Sequence, residues 1–303
     1  MALKSKLRTL FAKNQPNGPY RPLNSSIVKN YNLQRHGGSR KLLCYAPLNS
    51  LRFGLGGKVF SCCNSSKVIG QYPEQSISEI WSGAQLKHLR DHISHNDLTD
   101  GCRICLMDLE DSNFSAVRAS HYDPYPVKEN YPSMMDFLLD NTCNLECEMC
   151  SGVFSSAIAR NREGRLKIKK YYDDRFLQEL EEFIPHLSDA RFTGGEPFLI
   201  DTYYRIWDLI FTMNPKCRIS VQTNATVLNK KVKSVLKRGR FDLNVSLESL
   251  NNESYSKVMK NGDLQATIEN IRWFSKYCRD NATTMVVTIC PMRSNWHEVP
   301  DLI

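Results

Sequence analysis

From about residue 133 onward the chain alternates short apolar, β-rich runs with amphipathic stretches, and this alternation is the tightest constraint on its fold. Strand-like runs lie at Met134 to Leu139, Ala190 to Thr193, Arg218 to Thr223, Phe241 to Leu247 and Thr284 to Ile289, separated by helical patterns such as Tyr171 to Leu187 and Leu264 to Cys278. Five such units predict a parallel sheet, because parallel neighbours need a crossover connection between them. The fourth run shows its faces: Leu243, Val245 and Leu247 point one way, and Asp242, Asn244, Ser246 and Glu248 the other, so the polar row is expected to line the interior of a curved sheet. The chain stops at Leu302-Ile303, inside the helix expected after the fifth strand. A sixth strand is therefore absent from it, and because an exposed parallel edge is a liability, the sequence reads as a piece of a longer protein.

Two motifs follow the first two strands, at the strand ends where parallel α/β folds place their active sites. The first is Cys143-x3-Cys147-x2-Cys150, with no fourth cysteine nearby. Loops that fully ligate a 4Fe-4S cube supply four thiolates, so three leave one iron open to another ligand. The second is Gly194-Gly195-Glu196-Pro197. Its glycines let backbone approach a ligand closely, its carboxylate can accept from an ammonium, and its proline stiffens the turn. Taken singly, the cysteines could be a zinc site short of one ligand and the glycines a strand-ending turn.

Together the motifs resemble those of the radical S-adenosylmethionine (SAM) enzymes. The resemblance implies a partial (β/α)6 radical SAM barrel in an α/β chain, over residues 133–303. It also implies a 4Fe-4S cluster on Cys143, Cys147 and Cys150 whose open iron binds the methionine moiety of SAM. Gly194, Gly195, Glu196 and Pro197 would then hold the methionine amino group, and the backbone at Met149 would meet the adenine. Ser246 and Glu248 match the ribose-contacting strand end, with glutamate where the family often has aspartate. Thr223 and Asn224 are expected at the mouth of the lumen; Thr288 and Asn295 are secondary candidates, with turn capping as the other reading. The implied activity is reductive cleavage of SAM to a 5′-deoxyadenosyl radical that abstracts a substrate hydrogen.

The N-terminal half carries a second cysteine set. Ser50-Leu-Arg-Phe53, a turn at Gly54 to Gly57 and Lys58-Val-Phe-Ser61 read as a hairpin. After it, Ser76-Ile-Ser-Glu79 is a capping box opening one amphipathic helix with Ile80, Trp81, Leu86, Leu89 and Ile93 on or near one face. Around these elements stand Cys44, Cys62, Cys102 and Cys105. Gly-Lys-Val-Phe-Ser-Cys62 and Glu79-Ile-Trp-Ser-Gly83 are similar to the twitch domain, the shorter relative of SPASM, which implies a small α+β domain over residues 41–120 with an auxiliary 4Fe-4S cluster. In the family that domain usually follows the barrel; here it precedes it, joined by a proline-rich linker at 121–132. A structural zinc on the same four cysteines is the alternative. Cys63 is the reserve ligand, and Cys217, Cys278 and Cys290 are given no role.

The charge is uneven. The chain of 303 residues carries a net +8, yet residues 1–73 hold twelve Lys or Arg and no acid, which leaves about −4 for the rest. Residues 1–40 show no sustained period and read as a flexible basic extension, able to meet an acidic partner or nucleic acid, with a solvated arm as the favoured reading. No apolar stretch is long enough to span a membrane and no secretory core opens the chain, so a cytoplasmic enzyme is expected. Its expected partners are an electron donor such as flavodoxin or ferredoxin and a peptide, protein or small-molecule substrate. A non-catalytic metal-binding module with a nucleic-acid-contacting arm is the rival.

Overall fold

The computed structural model describes residues 19–302 except 37, 39 and 167. Among the described residues eight strands form one mixed sheet: β1 (Ser50–Phe53), β2 (Lys58–Phe60) and β3 (Gly70–Gln71) stand in the order β3-β2-β1 beside five barrel strands, β4 to β8, which follow in chain order. The barrel strands are β4 (Met134–Phe137), β5 (Asp189–Phe192), β6 (Arg218–Thr223), β7 (Phe241–Ser246) and β8 (Met285–Thr288). They pair in parallel throughout. All five lie where hydrophobic periodicity placed them, with ends displaced by one or two residues. Among the described residues no strand follows β8, and Val286 and Val287 on it are exposed.

The hairpin also forms, as β1 (Ser50–Phe53) against β2 (Lys58–Phe60), but it does not make a sheet of its own. β1 runs parallel to β4, with Ser50 opposite Met134 and Phe53 opposite Phe137. The cysteine-rich part therefore extends the barrel sheet and closes the outer edge of β4. One core runs through both parts. Phe53, Phe137 and Phe192 stand in register on the face covered by helices, stacked at 5.7 and 5.0 Å, and Trp207 continues the row at 5.4 Å from both Phe192 and Phe241. The opposite face is polar, as the alternation in β7 predicts. Arg52, Asp136, Arg191, Ser220 and Asp242 lie in register across five strands, with an Arg52–Asp136 ion pair at 2.7 Å.

Three local expectations change. The single helix after the capping box is two, Ile77–Trp81 and Ala84–Ser94, because Gly83 takes an extended conformation and caps the second; both halves of the capping box are present. Residues 25–34, read as aperiodic extension, form the helix Ser25–Gln34, which buries Tyr31. Arg35 then pairs with Asp123 out of water and donates to Leu42 O at 2.7 Å. A single buried aromatic with an ion pair fixes this helix, and neither leaves a periodic signal. The first eighteen residues of the basic arm lie outside the described residues. The segment read as a linker is tied down: Asn49 Nδ2 donates to Tyr122 O and Tyr125 O at 2.9 and 3.0 Å, and Tyr125 Oη accepts from Arg191 at 2.6 Å.

Candidate active site

The loop after β4 is held by its own polar side chains. Asp140 Oδ1 accepts from Thr142 N and Oγ1 at 2.9 and 2.8 Å, Asn141 Nδ2 reaches Gly152 O at 3.0 Å, and Ser155 Oγ reaches Leu145 O at 2.7 Å. Beneath it the buried Glu146 accepts from Asn161 and Asn261 at 2.8 and 2.9 Å and from Arg162 at 3.1 Å. Those amide hydrogen bonds, with Lys260 and Arg162 nearby, bring its carboxyl down to about 2. The result is a fixed turn presenting Cys143, Cys147 and Cys150.

The glycine motif packs against this loop. Gly194 and Gly195 have φ of +89° and +45°, and a Cβ on either would meet Asp140 O at 2.8 Å or Thr142 O at 2.1 Å. No side chain fits there. Both glycines line a cavity of about 400 Å³, an ordinary size for a small-molecule site. Around the same cavity stand Cys143, Cys147, Cys150, Met149, Thr223, Asn224, Ser246, Glu248 and Thr288. Residues from the ends of β4 to β8 thus converge on one volume, the convergence expected from the motif positions. Burial pushes the Cys147 thiol up to about 12, with Cys143 and Cys150 adding to it, and the other two thiols also rise. Buried, unbridged thiols of this kind are suited to a cation that favours the thiolate.

Glu196, expected at the methionine amino group, is 0% exposed and is not among the residues that line the cavity. Its carboxylate accepts from Phe198 N at 3.1 Å, Thr223 Oγ1 at 2.9 Å and Asn224 N at 2.8 Å. Desolvation raises it to about 7, against the pull of those three donors. It therefore clamps the end of β5 to the end of β6. Pro197 is buried at the start of the following 3₁₀ turn and does not reach the cavity. Asn295 takes the capping reading: fully buried, it donates to Glu248 O at 2.9 Å and Cys290 O at 3.3 Å.

Gln222 and Cys290 are among the lining residues that escaped the sequence reading. Gln222 bridges three strands, donating to Ser246 Oγ at 2.9 Å and Thr288 Oγ1 at 3.3 Å; its alternation with Asn224 along β6 was the available signal. Cys290 lines the cavity and its amide donates to Glu248 Oε2 at 2.6 Å; nothing in its sequence context marked it.

The second cysteine set also converges. Cys44, Cys62, Cys102 and Cys105 line one small enclosed cavity with Leu98, Arg118, Ala119 and Tyr122. Cys63, the reserve ligand, does not line this cavity and its thiol donates to Asn64 Oδ1 at 3.7 Å, and Cys217 and Cys278 are buried elsewhere. Desolvation pushes the Cys62 and Cys102 thiols up to about 12. Four thiols around one small cavity are enough to saturate a 4Fe-4S cube; a tetrahedral zinc would use the same four. The donor set fits a cluster.

The sequence model of the Radical SAM superfamily matches residues 139–303. The chain belongs to this superfamily. A second model, SPASM, an iron-sulfur cluster-binding domain, matches residues 44–106, so the auxiliary domain does precede the barrel, and the two matches imply 4Fe-4S clusters and SAM as cofactors. Among curated relatives, a GTP 3′,8-cyclase of Synechocystis sp. is 30% identical over 165 residues, 54% of this chain and 47% of that protein. A probable GTP 3′,8-cyclase of Methanocaldococcus jannaschii is 28% identical over 172 residues, 54% of this chain and 52% of its own. The chain spans about half the length of the curated relatives it matches. Among solved structures, Streptococcus suis SuiB aligns with a TM-score of 0.42 at 15% identity over 72% of this chain and 45% of that one. Among the described residues no helix is long and apolar enough to cross a membrane.

Proposed function

We propose that this radical SAM chain cleaves SAM reductively and uses the resulting radical to oxidise a peptide, protein or small-molecule substrate, with the auxiliary cluster taking up the surplus electron. The observation that carries the reading is the convergence of Cys143, Cys147 and Cys150 with the ends of five parallel strands on one cavity. Cys143, Cys147 and Cys150 would hold a 4Fe-4S cluster, which when reduced would supply the electron for SAM cleavage and so the radical that would abstract a substrate hydrogen.

The chain's own residues bind, orient and exclude water. The Gly194-Gly195 backbone offers polar groups where no side chain intrudes, a surface for the methionine amino group. Gln222, Ser246 and Thr288 form a hydrogen-bonded row suited to ribose hydroxyls, with Glu248 beside it. Leu138, Leu145, Phe154 and Met259 supply the apolar part of the wall. That wall shields a reactive radical from solvent. Glu196 holds Thr223 and Asn224 in place rather than meeting the ligand. The auxiliary site offers four cysteines, enough to saturate a cube, which suits an electron carrier better than a substrate site. A flavodoxin or ferredoxin is the matching donor.

The test is anaerobic reconstitution with iron and sulfide, reduction, and chromatography for 5′-deoxyadenosine. The expected result is 5′-deoxyadenosine formed only with SAM and reductant, and lost when Cys143, Cys147 and Cys150 are replaced together by Ala. Formation of the nucleoside by that triple variant would overturn the assignment, and its absence from fully loaded wild type would favour the non-catalytic metal module.

A further inference from the structure

The auxiliary cavity contains two hydrogen-bond donors that no protein group satisfies. Tyr122 is 1% exposed and lines the cavity beside the four cysteines, yet its hydroxyl is buried with no partner among the described residues. Arg118, one turn earlier on the same 3₁₀ segment, lines the same cavity. It gives Nη1 to His121 Nε2 at 3.2 Å and leaves its Nε–H buried and unmatched. Buried donors without acceptors are rare because each keeps its desolvation cost. Two on one wall call for an acceptor in the space they share. Among the described residues lining that space, the other polar side chains are the thiols, Asn64 and Ser65.

The same turn faces the sulfurs through its backbone. Burial raises the Cys105 thiol, and the amides of Ala119 and Arg118 work against it. The phenol of Tyr122 is raised chiefly by burial, with smaller contributions from Cys62, Cys63 and Asp136 against an opposing one from Arg191.

We propose that Tyr122 and Arg118 are outer-sphere partners of the auxiliary iron-sulfur cluster, with the Tyr122 hydroxyl and Arg118 Nε–H donating to its sulfurs and raising its reduction potential. The inference rests on the reading that the four cysteines hold a cluster. Donors and positive charge stabilise the more negative, reduced state, so hydrogen bonds to sulfur move the potential upward. A raised potential favours accepting an electron from a substrate radical, the task proposed for this site. Neither residue is a ligand, so both can be changed without removing a bond to iron.

The experiment is a redox titration of the reconstituted 303-residue chain followed by electron paramagnetic resonance, with the SAM-binding cluster identified by the change in its signal when SAM is added. Tyr122→Phe keeps the ring and removes the donor; Arg118→Met removes the second donor on a stem of similar length. Each variant should retain wild-type iron and sulfide and lower the auxiliary midpoint by the equivalent of about a tenfold change in a one-electron equilibrium, about 59 mV. The SAM cluster's midpoint should stay fixed. An exchangeable proton coupled to the reduced auxiliary cluster should appear in wild type and disappear in Tyr122→Phe, which a purely structural role would not produce. Unchanged midpoints in both fully loaded variants overturn the proposal. If wild type holds one zinc and a single cluster's iron, the cluster reading itself fails, and metal analysis separates that result from the first.

Discussion

Replacing Glu196 by Gln tests whether this carboxylate acts as a clamp or as a ligand. The side chain is fully buried, and its three donors come from Phe198, Thr223 and Asn224. Burial raises its pKa from 4.5 to about 7. The fold therefore keeps a proton that the unfolded chain releases between those values. The stability from this proton is complete below pH 4.5 and is lost as pH rises through 7, a change of about 3 kcal/mol as an upper figure. Gln carries no such proton. Its amide can accept through one oxygen but turns an NH2 toward at least one of the donors, a penalty of about 1–3 kcal/mol that does not vary with pH. The stability gap between wild type and variant should therefore move in the variant's favour by up to about 3 kcal/mol from pH 5 to 8. Paired melting curves of the reconstituted proteins across that range read the gap directly, because all other titrating groups are shared. SAM affinity should change little at constant iron content, whereas loss of a direct ion pair to the methionine ammonium would weaken it about tenfold or more. A gap that is flat with pH, together with such a loss in SAM affinity, would refute the clamp.

Two further outcomes follow from the arrangement of the cysteines and the charges. Replacing Cys102 and Cys105 by Ala should remove about half of roughly 8 iron per chain and leave 5′-deoxyadenosine formation running without coupled oxidised product; product yield unchanged against nucleoside formed would exclude the electron-accepting role. Deleting residues 1–18, and not beyond, should leave both clusters in place while making any acidic partner bind more weakly, with a strong salt dependence in the full chain; binding that ignores ionic strength would return the arm to a solvated tail. The cut must stop there because the helix Ser25–Gln34 buries Tyr31 and precedes the buried Arg35–Asp123 pair.

How far the sequence could be read depended on whether the signal was periodic or local. The barrel strands were legible because alternation along β7 separates Leu243 and Val245 from Asn244 and Ser246 without any tertiary information. The cysteine triplet and the two glycines were legible because each has few uses at that spacing. The position of β1 was not, since nothing in Ser50–Phe53 says whether its free edge will meet its own domain or Met134–Phe137. The side-chain direction of Glu196 was equally hidden. A motif places its backbone at the strand end, but whether the carboxylate enters the cavity or turns to Thr223 depends on the donors at the end of β6, 27 and 28 residues away in the chain and adjacent only in the fold. Gln222 escaped for a similar reason, because its partners Ser246 and Thr288 belong to two other strands.

The shared sheet changes what domain order means in this chain. An auxiliary module tethered by a flexible linker could sit at varying distances from the barrel, and electron transfer to it would be gated by docking. Here β1 pairs with β4 along four residues, Asn49 holds the turn carrying Tyr122, and Arg191 on β5 reaches Tyr125 beside it. The first contact joins the two parts of the sheet, the second ties the connecting segment to the residue before β1, and the third ties that segment to β5. The spacing between the cysteine cavity and the polar face of the sheet is thereby set by backbone pairing, the stiffest element available. A module that precedes the barrel in sequence can serve it as well as one that follows, because a sheet edge accepts a strand without regard to the direction in which the chain arrived.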